Sequence, residues 1–186
     1  MQQEGDVRPV AADQYRQLRR ALARNFGPLD GVPAGFDSWL SHAGSLPSAL
    51  LCAPLFLPPL VEYGGRIYHT FLYFDDDPDG LAHHITEQLQ ATGGNARQVQ
   101  ALQNHLHLFE LFGDNPIDDR GEDADDVVQE LALLTEVLAQ SWRGWLAVNY
   151  PGREFVVETT NPLVDWPDDE DWDIYDLTVT FYEDRP

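Results

Sequence analysis

The sequence contains no lysine, so each of its 11 basic residues is an arginine. The lack of lysine excludes a Walker A phosphate loop, Schiff-base catalysis and a lysine general base. The single cysteine, Cys52, excludes an internal disulfide and is typical of a protein from a reducing compartment. Because Cys52 lies in an apolar run, we expect its thiol to be buried and unreactive.

Long apolar segments are also missing. The longest run, from Ala49 to Val61, contains Pro54, Pro58 and Pro59, so it cannot cross a bilayer as a helix. The start of the chain lacks the basic-then-apolar order of a signal peptide. We therefore expect a cytoplasmic protein with no membrane partner.

Linear signatures of nucleophilic, phosphate and zinc sites do not occur. The sequence has no GxSxG elbow, no GxGxxG loop, no HExxH motif and no Cys/His cluster. Adjacent histidines on a helix point about 100° apart and cannot chelate one ion together. Two histidines separated by one residue share a face only on a strand, whereas the spacing around 105–107 is helical. We expect all six histidines to lie at the surface or at the rim of the fold: His42, His69, His83, His84, His105 and His107.

The segment from Asp75 to Gly80 matches the opening of a calcium-binding loop, with carboxylates at loop positions 1, 3 and 5 and glycine at position 6. Position 12, which requires a bidentate Glu, is Thr86. A strand-to-helix turn in which Asp79 caps the next helix explains the same residues. We therefore expect neither a metal nor an organic cofactor. A metal-dependent hydrolase using Asp75, Asp77 or Asp79 with a histidine remains an alternative.

Acidic residues dominate the composition: 32 of them against 11 arginines give a net charge of −21. Solubility requires a net charge of only about 2 to 8 in magnitude. Residues 1–24 carry +2, from five arginines and three acids, and residues 25–186 carry −23, from six arginines and 29 acids. Such a field repels nucleic acid and anionic membrane and attracts basic surfaces.

Apolar periodicity predicts one α+β domain over residues 1–186. We expect a small antiparallel sheet with about four helices packed on it. The predicted strands lie near 66–74, 153–160 and 174–183, and the last two form a C-terminal hairpin over 153–183. The predicted helices are an arginine-bearing one over 10–26 and three in a helical middle over 80–149, namely 80–92, 95–112 and 124–148. The proline-containing segment 50–61 suits a buried irregular or edge position.

The long helix over 124–148 is expected to pack on the terminal strands in one core. Alternation along each strand and the helical spacing of two tryptophans select its members. They are Trp142, Trp145, Phe155, Val157, Leu177, Val179 and Phe181.

The loop between the last two strands combines carboxylates with aromatic residues. A run of charge is most often a solvated face. Aromatic anchors ringed by acids, however, are typical of surfaces that receive arginines and lysines. We predict that this loop binds a protein partner through Trp166, Asp168, Asp169, Glu170, Asp171, Trp172 and Asp173.

Two resemblances bear on function. The tryptophan-bearing helix followed by YPGREFVVE and DLTVTFYE resembles the tail of small uncharacterised bacterial proteins over about a third of the chain, which implies a fold element and no chemistry. In size and acidity the chain resembles, at class level, the small acidic immunity proteins with which bacteria neutralise toxin domains. That resemblance implies a non-enzymatic binding protein that occludes a basic partner. A DNA-mimicking regulator or anti-defence protein is the alternative, and a homodimer is compatible with either.

Overall fold

The computed structural model describes residues 46–70, 77–108, 111, 124–161, 165 and 177–185. All of them except Leu46 belong to the unit Pro47–Pro186. Helices and antiparallel strands occur together, which confirms the predicted α+β class. The described helices are α1 (Leu46–Phe56), α2 (Pro78–Ala91), α3 (Ala96–Gln103) and α4 (Ala124–Asn149). The described strands are β1 (Leu60–Tyr63), β2 (Arg66–His69), β3 (Leu106–His107), β4 (Phe155–Thr160) and β5 (Thr178–Glu183).

β1 and β2 form an antiparallel hairpin closed by a two-residue turn. Tyr63 pairs with Arg66, so Gly64 and Gly65 make the turn. Their φ angles are 57° and 79°, the left-handed backbone that a tight hairpin requires and that only glycine adopts at little cost. All four residues of β2 are buried, so this strand is covered on both faces.

The second sheet has three antiparallel strands in the order β3-β5-β4. Val157 pairs with Phe181 in the middle of the β4–β5 ladder, which confirms the predicted C-terminal hairpin. The two faces of β5 are covered by different helices. Phe181 meets Trp142 of α4 on one face, whereas the Thr180 hydroxyl on the other donates to the Ala101 carbonyl of α3 at 2.7 Å.

The main core forms where α4 packs on this sheet. Trp142 and Phe181 are buried and stack edge to face, with ring centroids 5.7 Å apart. Phe155 adds a second edge-to-face contact to Phe181 at 6.0 Å. The predicted core is confirmed for Trp142, Phe155, Val157, Leu177, Val179 and Phe181. The predicted core position of Trp145 is wrong, because its ring is half-buried and faces a surface groove.

The predicted helix over 95–112 is shorter in the structure, and its buried face is partly polar. α3 ends at Gln103, and the chain then enters β3. Apolar periodicity predicts Val99 and Leu102 on one buried face of this helix; Val99 is fully buried, but Leu102 is 54% exposed. Gln100 and Asn104 are fully buried instead. The reason is that α3 packs against strand backbone, whose N–H and C=O groups need hydrogen-bonding side chains.

The segment predicted as irregular or edge chain forms α1 followed by β1. α1 is apolar along its whole length, yet only one side of it packs against α4. Cys52 lies on the other side and is exposed, so the expectation of a buried thiol is wrong. Pro54, inside the helix, cannot donate to the carbonyl of Leu50, so that oxygen lacks its ordinary α-helical donor.

Candidate functional site

The predicted partner surface lies outside the described residues. Trp166, Asp168, Asp169, Glu170, Asp171, Trp172 and Asp173 all fall in this category. The predicted arginine-bearing helix over 10–26 does so as well. Both stay predictions from the sequence.

The calcium-like segment is described only from Asp77 onwards, and there it caps a helix. Asp77 Oδ1 accepts a hydrogen bond from the Gly80 amide at 2.8 Å, so Asp77 is the N-cap of α2. The expectation that Asp79 is the cap is wrong, because Pro78 occupies the first helical position and sets Asp77 before it. Among the described residues, no group of three or more His, Cys, Asp or Glu side chains is placed to hold a metal ion.

The histidines occupy several environments. His83 is exposed and lies 3.3 Å from Glu87 on the same face of α2. His107 lies in β3 and His105 immediately precedes it; their rings meet edge to face at 4.6 Å, which strand geometry permits and the predicted helix would not. His69 contradicts the expectation of a surface or rim position. It is buried on β2, with its ring 5.8 Å from Trp142, because β2 is covered on both faces.

A buried polar junction joins α3, β2 and β5, and we define it by Arg66, Gln100, Asn104 and Glu183. The Gln100 amide donates to the Ile67 carbonyl and accepts from the Glu183 backbone amide, both at 2.9 Å. The Asn104 side chain donates to the Ile67 carbonyl at 3.0 Å and accepts from the His69 amide at 2.9 Å. These side chains replace the ladder hydrogen bonds that β2 and β5 do not make with each other.

The charged members of this junction are matched to one another and to the backbone. Arg66 donates to Gln100 Oε1 at 3.0 Å and to the Arg185 carbonyl at 2.8 Å. The Glu183 carboxylate is 2% exposed; Oε1 lies 3.4 Å from Arg153 Nη1, and Oε2 lies 2.6 Å from Arg185 Nε. A buried carboxylate is tolerated only with such partners. The junction therefore fixes the β1–β2 hairpin on the three-stranded sheet. Its groups are engaged with one another, which favours a structural role.

Every arginine in the described part of the chain has an internal partner. Arg153 pairs with Glu62 at 2.5 Å, and this hydrogen bond, more than any other contact, raises the pKa of Arg153. Arg97 lies 3.4 Å from Asp184, and Arg143 donates to the Val157 carbonyl at 2.8 Å. Arg66 and Arg185 belong to the junction described above. The positive charge of this region is therefore used to hold the fold together.

Tyr182 forms a second polar cluster on the α3 side of β5. Its hydroxyl donates to Glu158 Oε1 at 2.5 Å and accepts from Arg97 at 3.1 Å. The Glu158 hydrogen bond raises the pKa of the Tyr182 phenol, and the Arg97 hydrogen bond opposes that rise. The Arg97 guanidinium also lies over the Tyr182 ring, 4.5 Å from its centroid.

An apolar groove is open at the surface between α1 and α4. It has a volume of about 610 Å³ and is lined by Leu50, Pro54, Leu57, Pro58, Trp145 and Tyr150, among others. Leu50 is 64% exposed and Leu57 is 49% exposed. Val148, one turn beyond Trp145 on α4, is 75% exposed. Large apolar side chains gathered in this way on a surface mark an interaction site more often than isolated ones do.

The groove is held by hydrogen bonds from α4 to the end of α1 and the residues after it. Trp142 Nε1 donates to the Leu55 carbonyl at 2.9 Å, and the Ser141 hydroxyl donates to the next carbonyl, that of Phe56, at 2.7 Å. Trp145 Nε1 donates to the Pro58 carbonyl at 3.0 Å, which fixes the indole ring in the groove wall. These bonds satisfy carbonyls that a helix end leaves without intrahelical donors. The groove is therefore a formed feature of the fold.

Sequence reasoning missed the groove and the junction. The all-apolar composition of α1 was a signal for the first, since an apolar helix with little amphipathicity needs cover on more than one side. Neighbouring Gly64 and Gly65 between two β-forming runs were a signal for the hairpin that carries Arg66.

None of the described helices combines the length and the apolar character that crossing a membrane requires. No known protein family, curated protein or solved structure matches this chain.

Proposed function

We propose that this chain is a cytoplasmic, non-enzymatic binding protein that occludes a basic partner, as an immunity protein inhibits a toxin. The observation that carries the proposal is the excess of acidic over basic residues. Even if each of the 11 arginines neutralised one carboxylate, the chain would retain a charge of −21. A field of that size draws a cationic protein towards it and accelerates the encounter.

The contacts of the described arginines support the same proposal. Arg66, Arg153 and Arg185 converge on the junction around Glu183, so they are not presented to a partner as a basic surface. A nucleic-acid ligand would have to approach an acidic body with little compensating positive charge. The proposed partner is therefore a protein with an exposed cationic site, a toxin domain in the first instance.

The test is to identify and measure the partner. The tagged protein is used as bait in lysate of its native host, and each captured protein is identified, expressed alone and assayed. We expect a basic protein whose association slows steeply between about 0.05 and 0.3 M salt, since opposite charges steer the encounter. We also expect stoichiometric addition of this chain to suppress the partner's activity. Capture of acidic or neutral proteins alone, or binding without salt dependence, would reject the proposal.

Matched charge variants locate the binding surface. Asp168→Asn, Asp169→Asn and Asp171→Asn together remove three charges from the predicted loop. Asp79→Asn, Glu87→Gln and Glu154→Gln remove three exposed charges elsewhere. If the loop contacts the partner, the first set should raise the dissociation rate, while both sets lower the association rate through the net charge. If the two sets of variants change the association rate and the dissociation rate by the same amounts, the loop is only a solvated turn.

A further inference from the structure

We propose that the groove between α1 and α4 receives the apolar anchor of the basic partner, a leucine or an aromatic residue on a cationic segment. The inference rests on the proposed function and states where on the protein the partner docks. Charge draws the partner in, but long-range attraction alone does not define where a partner docks. Interface energy is concentrated in a few apolar or aromatic side chains that enter a pocket.

The groove has the properties of such a pocket. Its volume of about 610 Å³ falls within the usual range for binding clefts, about 300 to 1,000 Å³. Its wall is fixed by the hydrogen bond from Trp145 to the Pro58 carbonyl. A preformed wall lowers the entropic cost of binding. Leu50 and Leu57 have substantial exposed area that a partner can bury.

The occupant is identified by charge. A second copy of the chain would bring another −21 to the same place, and that repulsion opposes self-association. A cationic segment is attracted by the same field.

Three labelled peptides test both parts of the inference. The first is a helical peptide of about 18 residues with leucines at positions i, i+3, i+4 and i+7 and arginines elsewhere. The second replaces its leucines by serine and keeps the charge. The third replaces its arginines by glutamate and keeps the leucines. We expect the first to bind at least tenfold more tightly than either of the others, as measured by fluorescence anisotropy.

Variants of the protein assign that binding to the groove. Leu57→Ser and Leu50→Ser should each weaken binding of the first peptide by about tenfold, because one buried leucine contributes that much. Leu57→Met should restore it. Leu102→Ser is the matched control, since Leu102 is equally exposed but lies on α3, away from the groove. Thermal unfolding should be the same for all of these variants, because the leucines are exposed.

The outcomes separate this inference from the proposed function. If the serine peptide binds as tightly as the first, or Leu102→Ser acts like Leu57→Ser, attraction is by charge alone and the groove assignment is wrong, while the proposed function stands. If the glutamate peptide binds as tightly as the first, the occupant is not basic and the inference fails. Absence of binding by all three peptides also rejects it. A dimer seen by sedimentation and dissociated by Leu57→Ser would assign the groove to a second copy instead.

Discussion

The side-chain amide of Gln100 accepts a hydrogen bond from the Glu183 backbone amide at 2.9 Å while it donates to the Ile67 carbonyl at the same distance. Gln100 therefore joins β2 to β5, two strands that belong to different sheets. A fully buried side chain in this position is part of the backbone hydrogen-bond network. Its loss would leave strand groups without partners.

Gln100→Ala should lower the free energy of unfolding by about 3 kcal/mol or more, because each buried group left unsatisfied costs about 1 to 3 kcal/mol. The variant would also remove the Gln100 oxygen that accepts a hydrogen bond from Arg66. Urea denaturation measures the effect. Gln98→Ala, at an exposed position on the same helix, is the control and should change stability by less than about 0.5 kcal/mol. A loss below about 1 kcal/mol for Gln100→Ala would mean that water substitutes for the amide.

Phe181→Ala should lower the free energy of unfolding by about 3 to 5 kcal/mol. Phe181 is fully buried and makes edge-to-face contacts with Trp142 and Phe155. The same denaturation experiment on Leu102→Ala, an exposed apolar position, should show a change of less than about 0.5 kcal/mol. Comparable losses for the two variants would contradict the packing of α4 on the sheet.

Asp77→Ala should lower stability by about 1 kcal/mol, because the Gly80 amide loses its acceptor at the start of α2. Asp77→Asn is the matched variant: it removes the charge but keeps an oxygen that can cap the helix. Its stability should stay within about 0.5 kcal/mol of the original. If the two variants are equally destabilised, charge and not capping is what this position supplies.

The same pair of variants tests the calcium alternative. A specific ligand at 100 times its dissociation constant adds about 2.7 kcal/mol of stability. We expect micromolar calcium to leave the melting temperature of the chelator-treated protein unchanged. A clear rise in melting temperature that Asp77→Asn abolishes would favour the metal-dependent alternative over the binding proposal.

Titration of the Tyr182 phenol should respond in opposite directions to its two partners. Glu158→Gln should lower the pKa of Tyr182, because the carboxylate that holds the phenolic proton is removed. Arg97→Gln should raise that pKa, because the opposing hydrogen bond from Arg97 is lost. Absorbance near 295 nm follows ionisation, and Tyr182→Phe identifies the relevant step. Shifts in one common direction would contradict the assignment of Glu158 and Arg97 as the two opposing partners of this phenol.

The sign of the linked stability effect follows from the raised pKa. The folded protein holds the Tyr182 proton more tightly than the unfolded chain does. The resulting stabilisation is fully present below the unfolded pKa of about 10 and is lost as the pH rises through the folded value. Tyr182→Phe should therefore change stability below pH 10 and have less effect above the folded pKa. A difference that grows with alkaline pH would contradict this assignment.

Elements with a sustained apolar period were predicted well. α4 matches its predicted span closely; Trp142 on its predicted face is buried, whereas Trp145 is only half-buried. β4 and β5 pair as an antiparallel hairpin as predicted, and Phe181 lies in the core as its position beside Val179 along the strand predicts. In α4 the apolar side packs on the sheet, which is the condition under which periodicity is informative.

The prediction failed where an element buries polar groups or is covered on both sides. α3 buries Val99 as its apolar pattern predicts, but Gln100 and the following Asn104 are buried as well, and Leu102 is exposed. β2 has no exposed residue, so Arg66 and His69 are buried despite their polarity. Burial of such residues depends on acceptors and donors that come from distant parts of the chain, and the sequence does not show which parts meet.

The sequence by itself determined the charge of −21, the absence of lysine chemistry, the α+β class and the amphipathic elements α4, β4 and β5, because these depend on composition or local period. Tertiary structure alone decided that Glu183 is held by Arg153 and Arg185. It also decided that, among the described residues, α4 covers one side of α1 and leaves a groove beside Trp145. Both outcomes require segments far apart in sequence to meet, and no local pattern specifies which donors or which faces they present to each other.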